Sequence, residues 1–194
     1  MKLLIDRGSS VNARDDGGRS CLHVASTSAA IRLLSQAKAD LSCPNSTFSA
    51  LDYHAIFDHV EPVHALLQAK AVIDQRRSNG GSSALFGAAQ NGHVASVSLL
   101  LNAKATVDMC VDSGASPLFT VCFHGDAEVA ELLIAAKATI DLRRNDGASP
   151  LYAACGNGHS EVVGLLIGAK ATIDLCTNTG ASPLFMACQN GHVE

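Results

Sequence analysis

The sequence predicts an all-α solenoid of stacked helix-turn-helix units joined by β-hairpin-like loops, and three observations carry that prediction. GASPLFTVC at 114–122, GASPLYAAC at 147–155 and GASPLFMAC at 180–188 recur at a fixed spacing of 33 residues. A unit repeated at this period cannot bury its apolar face alone and stacks on its neighbours. The stretch at 147–155 also precedes a segment with apolar residues three and four apart, Val162, Val163, Leu165 and Leu166. Composition agrees, with 47% hydrophobic residues but only 4% aromatics and no Trp, a balance suited to small helices that approach closely.

The elements follow in order. Ser116-Pro117, Ser149-Pro150 and Ser182-Pro183 place an N-cap hydroxyl before a proline whose fixed φ suits the first helical position. Ser83-Ala84, Ser49-Ala50 and Ser20-Cys21 keep the cap without the proline. The first helix is short, Pro150 to Cys155 in one copy, and ends at Gly156-Asn157-Gly158; the second runs from Glu161 to about Ala169. Then comes Ala-Lys-Ala and an apolar-Asp pair: Ile73-Asp74, Val107-Asp108, Ile140-Asp141 and Ile173-Asp174. Asn, Asp, Ser and Gly lead back to the next cap, which favours an extended turn over more helix.

On these residues the chain resembles ankyrin repeats, whose pattern runs D-x-x-G-x-T-P-L-H-x-A-A-x-x-G-H, an apolar helix and G-A-x-x-N. Residues 147–179 match best, through Gly147, Ser149, Pro150, Leu151, Ala153, Ala154, Gly158, His159, Val162, Val163, Leu165, Leu166, Ala169 and Ala171. The resemblance makes residues 1–194 a single domain: a partial repeat at 1–16, whole repeats at 17–46, 47–79, 80–113, 114–146 and 147–179, and a partial repeat at 180–194.

Three departures stand out. The His of T-P-L-H is Phe86, Phe119, Tyr152 and Phe185, with His only at His23. The 17–46 copy is about three residues short between its helices, which predicts a distorted turn. The Gly after the second helix survives at Gly8 and is Lys38, Lys70, Lys104, Lys137 and Lys170 elsewhere. A Lys in left-handed geometry costs about 1 kcal/mol relative to Gly, partly offset by a cation at a helix C-terminus, worth about 0.3–1 kcal/mol. One reading of this column is a positive ridge; the other is a helix cap neutralised by the Asp four residues on.

Several function classes recede. A net charge of −4 offers no source for the counterion release that drives nucleic-acid binding, so no nucleic-acid partner is expected. The opening Leu3-Leu4-Ile5 is too short for a signal-peptide core, and no apolar run approaches membrane-spanning length, so neither secretion nor membrane insertion is expected. Cys122, Cys155 and Cys188 share one position in successive repeats, where stacked helices about 8–10 Å apart exceed the reach of a disulfide; they read as free thiols. Phosphate-loop, nucleophile-elbow and zinc-protease motifs do not occur, and no catalytic residues, metal or cofactor are expected. His59, His93, His159 and His192 form a column that, by the resemblance, ties a loop to neighbouring backbone. His54, His59 and His64, five residues apart, do not share one helical face as metal ligands would. Asn45-Ser46-Thr47 fits a glycosylation acceptor, of no consequence without secretion.

What the resemblance implies is recognition: in ankyrin repeats, loop tips and first helices line a concave face that binds other proteins. Mapped here, the tips carry Arg14, Asp16 and Arg19; Asn45, Ser46 and Phe48; Arg76, Arg77 and Asn79; Asp112 and Ser113; Arg143, Arg144, Asn145 and Asp146; Asn178 and Thr179. The first helices end in Ile56-Phe57, Gln90-Asn91, Phe123-His124, Gly156-Asn157 and Gln189-Asn190. Phe57, Phe123 and Ile56 are the expected anchors, because buried aromatics flanked by Arg carry most interface energy. The chain is thus expected to be an intracellular, non-catalytic protein-binding scaffold, in the cytoplasm rather than the nucleus, monomeric, with a protein partner that offers an acidic segment. The alternative is the targeting or regulatory arm of a larger enzyme or channel.

Overall fold

The computed structural model describes residues 1–42, 48–78 and 80–192. They form α1 (Lys2–Asp6), α2 (Cys21–Val24), α3 (Ser28–Gln36), α4 (Ala50–Ile56), α5 (Val60–Gln68), α6 (Ala84–Gln90), α7 (Val94–Asn102), α8 (Pro117–His124), α9 (Ala127–Ala135), α10 (Pro150–Gly156), α11 (Ser160–Gly168) and α12 (Pro183–Asn190). Asn45, Ser46, Asn79 and the Asn45-Ser46-Thr47 acceptor lie outside the described residues.

Local chemistry sets the helix starts. The hydroxyls of Ser49, Ser83, Ser116, Ser149 and Ser182 each accept the N–H three residues on, from extended backbone, and so satisfy a donor the helix leaves open. At the other end, each second helix closes by a Schellman motif. Ala138 N donates to Leu133 O at 3.0 Å and Lys137 N to Ile134 O at 3.0 Å, and the pattern repeats at Ala39, Ala71, Ala105 and Ala171. The five column lysines stand at the left-handed position, with φ between 62° and 70°.

The even-numbered helices from α2 to α12 stack in one layer, and the odd-numbered ones from α3 to α11 stack in a second. Between the layers run two leucine columns, Leu22, Leu51, Leu85, Leu118 and Leu151, and Leu34, Leu66, Leu100, Leu133 and Leu166, all essentially solvent-free. Burying each such side chain contributes about 1.5–3 kcal/mol. A second cluster, Phe86, Phe119 and Ala148 with the half-buried Tyr152, continues beside the loops. Those loops are hairpin-like turns closed by bonds such as Arg144 N to Ala148 O at 2.9 Å. Among the described residues no strand forms, and Arg14 and Ser20 make one isolated bridge.

Inter-unit bonds set the register. His93 Nε2 donates to Ile56 O at 2.6 Å and His159 Nε2 to Phe123 O at 3.1 Å. The His159 ring lies over Gly125, where a Cβ would fall 2.4 Å from Nδ1; with φ at +82° the position requires glycine twice over.

Two expectations change. Asp74, Asp108 and Asp141 do not neutralise the lysines. Each accepts both the N–H and the hydroxyl of a threonine one unit on, Thr106, Thr139 and Thr172. The chain reverses through the left-handed lysine, so four residues along the sequence no longer means one helical face. His59 also departs from its column: its Nδ1 meets His54 Nδ1 at 2.9 Å. The shortened copy behaves as expected, since α2 has four residues and ends at an extended Ala25.

Candidate functional site

Two exposed aromatics stand at the ends of first helices, while a third, Phe185, lies near the start of α12. Phe57, the C-cap of α4, is 57% exposed, and Phe123 near the end of α8 is 47% exposed. Around Phe57 lies a cavity of about 250 Å³ walled by Arg19, His23, Phe48, Tyr53 and Ile56, with the Tyr53 and Phe57 ring centroids 5.0 Å apart. Around Phe123 lies a cavity of about 160 Å³ walled by Phe119, Arg144, Tyr152, Met186 and Asn190. The structure therefore brings the expected residues Phe48, Ile56 and Phe57 to one place and Phe123 to another. Periodicity missed Tyr53 and Met186. Phe119 and Tyr152 were visible as an aromatic column but not as walls of an opening.

The arginines are more committed than their sequence positions suggest. Arg76 reaches Asp112 at 3.3 Å, Arg19 pairs with Asp15 at 2.8 Å, and Arg144 pairs with Asp146 while lying 5.2 Å over the Phe119 ring. The Arg144 hydrogen bond holds the Asp146 carboxyl below the usual range. Arg143 donates to Gly147 O at 2.8 Å and Cys176 O at 2.9 Å, clamping successive loops. Asn145 donates to Asp112 O and Asn178 to Asn145 O, each at 3.0 Å, and the Asn145 N–H reaches Ser113 O. Thr179 bonds Thr177, while exposed Asn91 turns back to Gly87 O beside exposed Gln90. His124 packs edge-on against Phe123.

Arg77 is the clearest correction. Placed on the rim by its sequence position, its side chain is only 9% exposed, lies 4.8 Å over Phe48 and faces Asp52, 1% exposed, at 3.5 Å. Asp52 occupies the column that holds Phe86, Phe119 and Tyr152 in later units, and spends one oxygen on the Ser49 N–H and hydroxyl. Burial raises the Asp52 carboxyl pKa despite Arg77, and burial lowers the Arg77 pKa despite Asp52. Desolvation outweighs pairing on both sides, as expected for a buried ion pair. Filling the aromatic column back through position 52 would have found this pair.

These features converge with a comparison against protein families. The model for ankyrin repeats in three copies matches residues 72–146 and 118–194, together more than half of the chain. The chain belongs to the ankyrin-repeat family. A comparison with curated proteins finds none that matches. Ankyrin repeats are generally protein-protein interaction modules, typically non-catalytic. The matched segment starts at residue 72, past the four-residue α2 and past Asp52 in the aromatic column. Among the described residues, no three His, Cys, Asp or Glu side chains gather as a metal site, and His64 meets Gln68 at 3.3 Å rather than the other histidines of its unit.

Proposed function

We propose that this ankyrin stack is a non-catalytic scaffold that binds a protein partner through the concave face formed by its first helices and loop tips. The observation that carries the reading is the pair of exposed aromatic openings at Phe57 and Phe123, each beside a cavity. Large aromatics held rigidly at the surface offer much contact area for little lost entropy.

Arg76, Arg77 and Arg144 have carboxylate partners inside the chain, so apolar burial supplies the affinity. Arg143, bonded to uncharged oxygens, keeps its charge for an acidic segment of the partner, which steers association. Six described cysteines are free thiols, which fits a reducing intracellular compartment, the cytoplasm in our reading. The scaffold acts as a monomer.

Affinity capture from a cell extract, with the partner's affinity then measured in purified form, tests the proposal. Phe57→Ala and Phe123→Ala together should weaken binding at least about 30-fold, since two anchor truncations commonly cost upwards of 2 kcal/mol. An unchanged affinity rejects the concave face as the binding surface.

A further inference from the structure

Four departures from the repeat, Phe48, Asp52, Arg77 and Gly87, gather beside the Phe57 opening. The residue before the serine cap is small in the later units, Ser82, Ala115, Ala148 and Ala181, and is Phe48 in the 47–79 unit. The third residue after the cap is Phe86, Phe119, Tyr152 and Phe185 in the later units, and is Asp52 in this one. The ring has thus moved four residues back, from the buried column to the loop.

Arg77 follows the ring. The turn bonds Arg77 N to Ser82 O and Arg144 N to Ala148 O, each 2.9 Å, make the two arginines equivalent. Arg144 lies over Phe119, in the buried column, and pairs with the exposed Asp146. Arg77 meets Asp52 where that ring would stand and lies over Phe48 instead, 4.8 Å from its centroid. Gly87 makes room for the guanidinium at a position where other units carry Tyr53, Thr120, Ala153 and Met186: a Cβ there would fall 2.6 Å from Arg77 Nη2. His23 fixes the Phe48 backbone, donating from Nε2 to its carbonyl at 3.0 Å.

Stability does not account for this arrangement. A buried ion pair repays its desolvation only with close geometry and full hydrogen bonding. Asp52 and Arg77 stand 3.5 Å apart, and Asp52 Oδ1, Arg77 Nε and Arg77 Nη2 are buried with no hydrogen-bond partner among the described residues. What the pair does produce is a wall. Phe48, with the guanidinium over its ring, lines the cavity of about 250 Å³ together with Tyr53, Ile56 and Phe57. Departures from a local rule gather where a function needs them.

We infer that Asp52 and Arg77 are positioning residues that hold Phe48 as a wall of the Phe57 opening, and so set it apart from the Phe123 opening, which has Ala148 at the position of Phe48. The carboxylate displaces the buried ring and draws the guanidinium inward, and the guanidinium then backs the ring that moved to the loop. This role rests on the reading of the concave face as the binding surface, while the placement of Phe48 is read without a partner.

Nuclear magnetic resonance of the whole chain tests the placement. In the wild type the Phe48 ring protons should show nuclear Overhauser contacts to the Arg77 side chain. Asp52→Phe combined with Arg77→Met returns the unit to the pattern of the later ones; Phe48 signals should move to those of a solvent-exposed phenylalanine while Phe123 signals stay in place. Gly87→Ala is a second route that decides alone if the double variant does not fold. It leaves both charges in the chain, favours the helix and displaces the guanidinium, so Phe48 signals should move the same way. Absent wild-type contacts, or Phe48 signals unmoved in the folded variants, would overturn the assignment. Affinity for the partner captured by the wild-type chain separates this role from the wider reading. Where Phe57→Ala weakens that affinity, the double variant should weaken it about tenfold, and an unchanged value would overturn the role of the wall. If Phe57→Ala leaves affinity intact, the concave-face reading fails, and the ring signals alone decide whether the pair positions Phe48.

Discussion

His54 shows how one side chain sets a pH response. Its Nε2–H is donated to Leu22 O, so the neutral ring must accept at Nδ1, from His59 Nδ1–H. A proton on His54 would set two N–H groups against each other. Burial, with the neighbouring His59 and His23 adding to it, pushes the pKa down to about 4 from 6.5. Above pH 6.5 neither folded nor unfolded chain holds this proton. As pH falls from 6.5 to 4 the unfolded chain takes it first, so stability is lost across that window, on the order of 2 kcal/mol. Urea unfolding at several pH values should show this slope in the wild type and a flatter one in His54→Ala. At Asp52 and Arg77, Arg77→Met should cost about 3–5 kcal/mol by stranding a buried carboxylate, and adding Asp52→Phe, the residue type of later units, should recover most of it. A double variant as unstable as the single one would refute the pairing. Neither effect was legible from spacing: His54 answers a carbonyl 32 residues back, and Arg77 answers a carboxylate 25 residues back.

The elements were legible where the rules are local. Serine caps, N1 prolines and left-handed helix ends depend on a few consecutive residues, and their positions in the sequence matched the helix starts and stops. The lysine column marks where that reading fails. Its backbone geometry is as expected, yet at Lys70, Lys104 and Lys137 the counter-charge assigned four residues on belongs to a threonine in the next unit. Those three lysines therefore keep the strain of their positive φ and only the helix end to offset it. Lys137→Gly and Lys170→Gly should leave stability unchanged or raise it by up to about 1 kcal/mol each. Thermal unfolding checks this, and a loss of stability from either variant would mean the ammonium has a partner in the folded chain.

Across the whole molecule, packing and exposure divide along the first helices. One aromatic column, Phe86 and Phe119 continuing to Tyr152, lies against the loops, while Phe57 and Phe123 emerge at the helix ends. A stack in which each unit touches only its neighbours tolerates change at the exposed positions and not in the column. The family and the stacked architecture could be read from the repeat period. Phe57 and Phe123 were legible in the sequence as anchors, but Met186 at the Phe123 opening, supplied by a later unit, and Arg77 turning inward were not. The central claim is that Phe123 binds and does not build. It is tested most directly by measuring unfolding free energy and partner affinity together for Phe119→Ala and Phe123→Ala, neighbours one turn apart. Phe119→Ala, truncating a 4% exposed ring, should destabilise the fold by about 3–5 kcal/mol. Phe123→Ala should change stability by less than about 1 kcal/mol and weaken the partner's binding about tenfold or more. Equal destabilisation by the two, with affinity falling only as the fold is lost, would contradict the account.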